Sequence, residues 1–533
     1  MGSMQGEGGK RGGLWIPSAV SGQAQPGRAL TGWQERRAML ASFVREMRAH
    51  PRLSIGFGLF WTWVWLVFQT TFFNPSFPSS GDVPFPGWTV PLSAYALTFL
   101  LLGFALKWRG IAPQGRWYRI AVPASMSFGV GLCGMLTFSP LTVPAVNAAT
   151  LCVGGLLMGA GTSCLHMEWG RVLGDLGPRT TIFHGVVGTV VAALLTVGLT
   201  LLPEAAVWAV AFIVPPACMR LLVRDVPATP AMLAHGRDAQ LHVPRRFLAT
   251  SFVQGLSFGI VQAILLLGSH EEPVTALTAV SFALSAVALF TCALFFRMDF
   301  NQLIYQVGFL IMALGYLLLA LAGPIAFGAC GPDAFGGLFI HTLGYRFVDI
   351  MMWALCAFLI SQRGLPANWV FAITTCFLLL GQVVGALVGS EVAGMFSLAG
   401  DVGGGLATIM VFVLLAVSLV LSDRKNLQTG WGMVRPGDID ELPGSFDRGC
   451  ELVCRRFDLT AREQEVFTLI AQGESRAGIC EALTLSKETV KTHVRNIYRK
   501  MDIHSQQDAL AVVVAEQRAL GMEEEGEIEE LLI

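Results

Sequence analysis

Between residues 53 and 421 the chain repeats one pattern, a run of about 20 apolar residues followed by a short polar break. The runs lie at 53–73, 88–106, 118–138, 144–166, 181–202, 205–222, 247–268, 274–296, 302–322, 335–360, 368–388 and 402–421. Each is long enough to cross a bilayer as a helix, which takes about 20 residues. Lipid offers the backbone N–H and C=O groups no partners, so helices are the form expected. The competing reading is a set of buried helices in a large soluble protein, but soluble cores do not repeat this length so often. Pro215 and Pro216 inside the sixth run, and charge inside the tenth, make those two the hardest to delimit.

The breaks alternate in sign. Arg45, Arg48 and Arg52 precede the first run, and Lys107, Arg109, Arg116 and Arg119 surround the break between the second and third. Arg171 and Arg179 follow the fourth, and Arg220, Arg224, Arg237, Arg245 and Arg246 surround the break after the sixth. Arg297, Arg363, and the Arg424–Lys425 pair follow the eighth, tenth and twelfth. The other breaks carry acids instead: Asp82, Glu204, Glu271, Glu272, Asp333, Glu391 and Asp401. Basic residues collect on the cytoplasmic side, which puts both termini inside. That requires an even number of spans, in agreement with twelve.

Composition adds to this picture. Only 14% of residues are Asp, Glu, Lys or Arg, where soluble domains average about 25%, and the mean hydropathy is +0.59. The net charge of −1 hides an uneven distribution. Eleven cysteines are spread mostly as singletons and suggest neither a disulfide framework nor a zinc site; the close pair Cys450 and Cys454 is too few ligands for one. Residues 1–46 are polar and Gly-rich without the apolar core of a signal peptide, and read as a flexible cytoplasmic segment.

The longest internal break, Arg224 to Arg246, divides the runs six and six. That plan resembles the two halves of the major facilitator superfamily. The resemblance is architectural. The family's loop between its second and third helices carries an Asp, whereas "KWRGIAPQGRWYR" here has none, and the counterpart after the eighth run reads "RMDFNQLIYQ". These departures argue against active transport. No Walker motif, nucleotide-binding loop, nucleophile–base set or metal-ligand set appears, so neither an enzyme nor a cofactor is expected.

Charge inside a span is costly and faces protein or a water-filled cavity. Arg346 and Asp349, in "GLFIHTLGYRFVDIMMW", are three apart and share a helix face. They suit the polar wall of an effector cavity, with Arg346 able to hold an anion, or equally an internal pair that locks packing. His341 is a further candidate for the cavity, although its spacing does not force it onto the same face. Glu168 and Arg171 read as an interfacial clamp, and Gly154, Gly155, Gly159 and Gly161 as points of close helix contact.

From residue 422 the periodicity stops. Residues 422–457 read as a cytoplasmic linker, 458–520 as a small four-helix module, and 521–533 as an acidic tail. Thr460 and Glu463 form a capping box ahead of Val466, Phe467 and Ile470, and Gly473 ends that helix. A short helix with Ile479 and Leu483 follows. Ser486 caps a third, in which Val490, Val494, Ile497 and Met501 share one face. A fourth, after Ser505, uses Ala509, Leu510, Val512 and Val513. The third helix carries Lys487, Lys491, Arg495, Arg499 and Lys500 against Glu488 alone, on an otherwise acidic module. Such a helix suits the phosphates and base edges of a major groove; a merely solvated cationic helix is the plainer reading.

Residues 459–510 resemble the LuxR-type helix-turn-helix domain. Leu459, Thr460, Arg462, Glu463, Glu465 and Val466 match its opening, Ala471 and Gly473 its Ala-x-Gly, and Ser486, Thr489, Val490, Lys491, His493 and Val494 its recognition segment, closed by Ile497 and Lys500. The resemblance implies that Lys487, Thr489, Lys491, Thr492, His493, Arg495, Asn496, Arg499 and Lys500 lie on the element that contacts double-stranded DNA, and that modules act in pairs as a homodimer. The chain departs from the family at Gly478, Cys480 and Gln506; the last loses a phosphate contact. The whole resembles LuxR-type regulators with long membrane sensor regions. The fold expected is all-α, a twelve-helix membrane bundle over residues 47–421 followed by this cytoplasmic module. The expected function is a regulator in the cytoplasmic membrane that responds to a small-molecule effector. The alternative is a transporter of the major-facilitator type with an attached DNA-binding domain.

Overall fold

The computed structural model describes residues 32–69, 89–109, 115–225, 243–268, 273–296, 298–322, 332–363, 365–399, 402–422, 445–471, 476–506, 508, 509, 512, 513 and 516. Residues 1–31, most of the expected linker, Gly473, Leu510 and the acidic tail lie outside them.

Among the described residues the secondary structure is helical. A helix α1 (Gly32–Ala49) precedes the bundle. The first half then runs through α2 (Pro51–Phe68), α3 (Thr89–Arg109), α4 (Arg116–Phe138), α5 (Pro144–Leu176), α6 (Pro178–Leu199) and α7 (Glu204–Asp225). The second half comprises α8 (Arg245–Gly268), α9 (Pro273–Phe295), a π-helical turn (Gln302–Gly308) leading into α10 (Phe309–Leu321), then α11 (Pro332–Arg363), α12 (Ala367–Ala399) and α13 (Val402–Leu421). Nine of the helices described are long and apolar enough to cross a membrane, and two shorter apolar stretches, Thr89–Ala105 and Gly405–Leu421, accompany them. The chain is therefore built as a multi-pass membrane protein.

The sixth and tenth runs, hardest to delimit by their prolines and charge, are continuous helices. α7 passes through Pro215 and Pro216 without interruption. α11 is the innermost helix, with 94% of its apolar window buried, against 33% for α9. Helices α5 and α12 run furthest past their apolar runs, to Leu176 and Ala399. α5 continues ten residues past 166 to Leu176, because Glu168, Arg171 and Asp175 pair along one face (Arg171 Nη2–Glu168 Oε2 3.1 Å, Arg171 Nη1–Asp175 Oδ2 3.9 Å). Gly177, at φ +89°, then turns the chain directly into Pro178 at the head of α6.

Within halves α2 packs on α6 and α7, α4 and α3 on α5, and α10 on α11 and α13. Between halves α3 meets α12, α6 meets α9, and α11 reaches α5 and α6. The tightest seam joins α8 to α12. A Cβ added at Gly255 would lie 1.9 Å from the Leu378 carbonyl oxygen, and one at Gly381, 2.1 Å from that of Phe252. Gly259 and Gly385 meet the Gln382 and Leu256 carbonyls in the same way, each at 2.1 Å. Small residues four apart on both helices let the backbones touch. Gly159, singled out from the sequence, does likewise against the Pro91 carbonyl at 2.3 Å.

The carboxy-terminal module has its own core. Helix α14 (Ser445–Arg456) lies in the stretch expected to be linker, yet Cys450, Val453 and Cys454 are buried with Val466, Phe467, Ile479, Val490, Val494 and Ile497. Helix α14 thus shares one core with the residues after 458. The module continues through α15 (Ala461–Ala471), α16 (Arg476–Ala482) and α17 (Lys487–Met501), with Gln506, Asp508, Ala509, Val512, Val513 and Glu516 helical beyond.

Candidate nucleic-acid interface and intramembrane polar cluster

The exposed face of α17 is set by its buried one. Val490, Val494, Ile497 and Met501 recur at helical spacing and are buried, which turns Lys487, Thr489, Lys491, Thr492, Arg495 and Arg499 to solvent and leaves His493 and Asn496 at the margins. Ser486 caps the helix by accepting from the Thr489 N–H at 3.2 Å, and Asp502, at φ +52°, ends it in the left-handed region.

Local bonds pre-order this face. The Thr492 hydroxyl donates to the Glu488 carbonyl at 2.9 Å, and Lys491 lies 3.9 Å from the Glu488 carboxylate. Lys500 differs. Its ammonium donates to the Asp458 carbonyl and to Glu463 Oε2, both at 2.8 Å. Glu463 also accepts from the Thr460 N–H at 2.9 Å and hydroxyl at 3.0 Å, completing the expected capping box. Burial alone would raise the Glu463 carboxyl, but Lys500 and Thr460 outweigh it and hold it below its ordinary value. Lys500 therefore fastens α17 to α15. Gln506 also has an inward role, donating to the Ile470 carbonyl at 2.9 Å.

Arg462 bears on the turn ahead of α17. It donates to the Leu483 carbonyl at 3.1 Å and pairs with Glu465. Thr484, beside that carbonyl, takes φ +54°.

The intramembrane candidates separate into two places. Arg346 is 1% exposed and wholly engaged. It pairs with Asp349, donates from Nε and Nη2 to Thr189 Oγ1 on α6 at 3.1 and 2.7 Å, and sets Cζ 3.9 Å from the centre of the Trp61 ring. Thr189 and Trp61 were not marked in the sequence, since nothing distinguishes them there from other apolar-segment residues. His341 faces elsewhere, bonding Ser257 Oγ through Nε2 at 2.8 Å and standing edge-on to Tyr316.

A cavity adjoins the Arg346–Asp349 pair, with Trp61, Gln69, Tyr95, His166, Asp349 and Gln382 among its lining. Its volume of about 20 Å³ is room for one water. His166 was also missed. It bonds the Tyr95 hydroxyl through Nδ1 and stacks on Trp353 at 4.6 Å, while its Nε2 and the Gln69 side-chain carbonyl have no hydrogen-bond partner among the described residues. A lone His in an apolar run gives no sign of this from sequence. Among the described residues no group of His, Cys, Asp or Glu could hold a metal ion.

The exposed cationic helix, its Ser486 cap and the Thr460–Glu463 box decide the identity of the module. Residues 458–513 match the family model of bacterial regulatory proteins, luxR family. The chain is 43% identical over 89 residues to the uncharacterized response regulatory protein YgeK of Escherichia coli (strain K12), covering 14% of this chain and 60% of that protein. It is 41% identical over 58 residues to the uncharacterized transcriptional regulatory protein YhcZ of Bacillus subtilis (strain 168), covering 11% and 27%. The chain thus spans less than two thirds of these relatives, and the likeness is one of modules. The membrane region is similar in fold to a bacterial homologue of the iron transporter ferroportin in an outward-facing crystal structure. The TM-score is 0.50 and the identity 14%, over 70% of this chain and 99% of that one. A Major Facilitator Superfamily transporter, FucP, in the outward conformation, aligns with a TM-score of 0.45 at 14% identity, over 69% and 97%.

Proposed function

We propose that the chain is a membrane-embedded transcriptional regulator that responds to a small-molecule effector and binds double-stranded DNA through α17. The observation that carries this reading is a folded LuxR-type module, with Lys487, Lys491, Arg495 and Arg499 turned to solvent, on the same chain as a transporter-like bundle. The bundle has twelve spans in two sets of six, with both termini in the cytoplasm where DNA is reached. The DNA contacts are made by Lys487, Thr489, Lys491, Thr492, His493, Arg495, Asn496 and Arg499, while Lys500 acts by holding the helix in place. Modules bind as a pair, each α17 in a major groove and half-sites about one helical turn apart.

The effector seat is the cavity beside Asp349. Arg346 is already paired, so it serves as a strut across helices and not as an open anion holder. His166 Nε2 and the Gln69 side-chain carbonyl, without partners among the described residues, offer hydrogen bonds, and Trp61 and Tyr345 offer flat apolar walls. A ligand larger than water requires the helices to part.

Mapping of DNA bound across the genome by the full chain, beside a Lys491→Ala chain, tests the reading. Enriched sites lost in the variant support it; an absence of enriched sites for the unaltered chain rejects it. The fold of the bundle favours one other reading, a transporter with an attached regulatory domain. Uptake that depends on an ion gradient would establish that instead.

A further inference from the structure

α1 stands before the first span, and one of its faces is fully occupied. Met39 is buried. Phe43 meets Phe183 of α6 edge-on at 5.1 Å and Phe290 of α9 at 4.9 Å. Arg36 places its guanidinium 5.1 Å from the centre of the Phe295 ring, also on α9. Glu46 Oε1 lies 3.2 Å from His184 Nε2 on α6, and His184 Nδ1 bonds Ser54 Oγ on α2 at 2.7 Å. The same hydroxyl reaches Met47 Sδ of α1 at 3.3 Å. Positions 36, 39, 43, 46 and 47 follow helical spacing, so a single stripe makes every one of these contacts. Arg37, Leu40, Val44 and Arg48, on the opposite face, are exposed.

The stripe crosses a boundary. α6 precedes the long break between the halves and α9 follows it, and the two helices meet directly. Phe43 sits over that meeting line with a ring on each side. The Ser54–His184–Glu46 chain does not form a nucleophilic centre, because Ser54 and His184 are 3% and 0% exposed and leave no place for a substrate. Its geometry suits a fastening.

We infer that α1 is an intramolecular clamp joining the two halves at this end of the bundle, with Phe43 as the wedge and the Glu46–His184 bond as the latch. Two halves that rock about a central cavity must separate at one end. Here they separate only if α1 lifts from α6 or α9. The residues on its stripe therefore set how often this end opens, whatever occupies the cavity.

Hydrogen exchange of the full chain in lipid nanodiscs, read on peptides covering residues 178–186 and 288–296, tests the clamp. Phe43→Ala removes both ring contacts and is expected to speed exchange at the α6 and α9 ends together by about tenfold. Glu46→Gln, a milder change, is expected to speed both ends about threefold. Leu40→Ala, on the exposed face, is expected to leave them unchanged. Faster exchange in α1 alone, with the α6 and α9 ends as protected as before in both variants, overturns the clamp. Should Phe43→Ala fail to insert, the Glu46→Gln comparison decides alone.

Discussion

Arg346 on α11 and Thr189 on α6 are joined by two hydrogen bonds to one hydroxyl oxygen, at 3.1 and 2.7 Å. The residues stand 157 positions apart and belong to opposite halves of the bundle. A charged group so deep in the membrane region is tolerated because Asp349, Thr189 and the Trp61 face surround it. The pair is thus a cross-strut beside the cavity.

Thr189→Val keeps the shape and removes the acceptor. Hydrogen bonds to charged groups contribute about 1.5–3 kcal/mol each, and Asp349 stays to hold Arg346, so the expected loss is about 2 kcal/mol. Thermal unfolding of the full chain in one detergent should show a melting temperature several degrees lower. An unchanged melting temperature would mean that the strut bears no load.

The extra helix α14 has a direct consequence for fragments. A fragment starting at residue 444 keeps Cys450, Val453 and Cys454 in the core; one starting at 455 exposes the surfaces they cover. Burying a valine alone stabilises by about 1.5–3 kcal/mol. The shorter fragment should lose about 3 kcal/mol or more, read from urea midpoints. Equal midpoints would show α14 to be dispensable.

Lys491 and Lys500 should behave differently although both are cations on α17. Lys491→Ala in the longer fragment should weaken DNA binding. If it contacts a base, the loss is about 1–3 kcal/mol and falls on the cognate sequence. If it contacts phosphate alone, all duplexes weaken and the salt slope flattens by about one unit. Lys500→Ala should leave that slope unchanged and lower the fragment's stability, because its ammonium is spent on Glu463 and the Asp458 carbonyl. Titrations of cognate and scrambled duplexes at several salt concentrations separate the two residues.

Acid should loosen the module through its bonded carboxylates. Glu463 is held below its ordinary 4.5. Asp508 is held below 3.8, first by the His504 N–H and, against the opposing effect of burial, by the Ser505 hydroxyl and N–H. A carboxyl lowered in the folded state contributes stability above its unfolded value and loses it as pH falls through the folded one. Fragment stability should therefore be flat near neutrality and fall below about pH 4.5. Glu463→Gln should lower the plateau and make that fall shallower. A fall of the same steepness in the variant would assign the effect to other groups.

Much of the fold is legible in the sequence because a span needs only length and apolar character. The ends are harder to read. α5 carries Glu168, Arg171 and Asp175 inside one helix although its apolar run stops at 166, since charges that pair along one face need no break. α14 offers only a few apolar residues interrupted by Gly449, and its partners lie in later helices. The exposed face of α17 is readable from its apolar stripe. Lys500 is not, because its partner Glu463 lies 37 residues upstream and charge alone does not say where a cation is spent. Thr189 and His166 are likewise defined by what other helices bring to them.

The glycine seam between α8 and α12 limits how the bundle can move. With each backbone seated against the other at Gly255, Gly259, Gly381 and Gly385, neither helix has room to slide or roll past its neighbour. The two form a single stiff beam. Thr375, Leu378, Leu379 and Gln382 project from that beam into the cavity beside Asp349. Small-molecule pockets measure about 300 Å³ or more, so room for the proposed effector would have to be made by the opposing helices α2, α3, α5 and α11. If the cavity is the effector seat, as proposed, the beam is its fixed wall and the helices facing it are the part that must move.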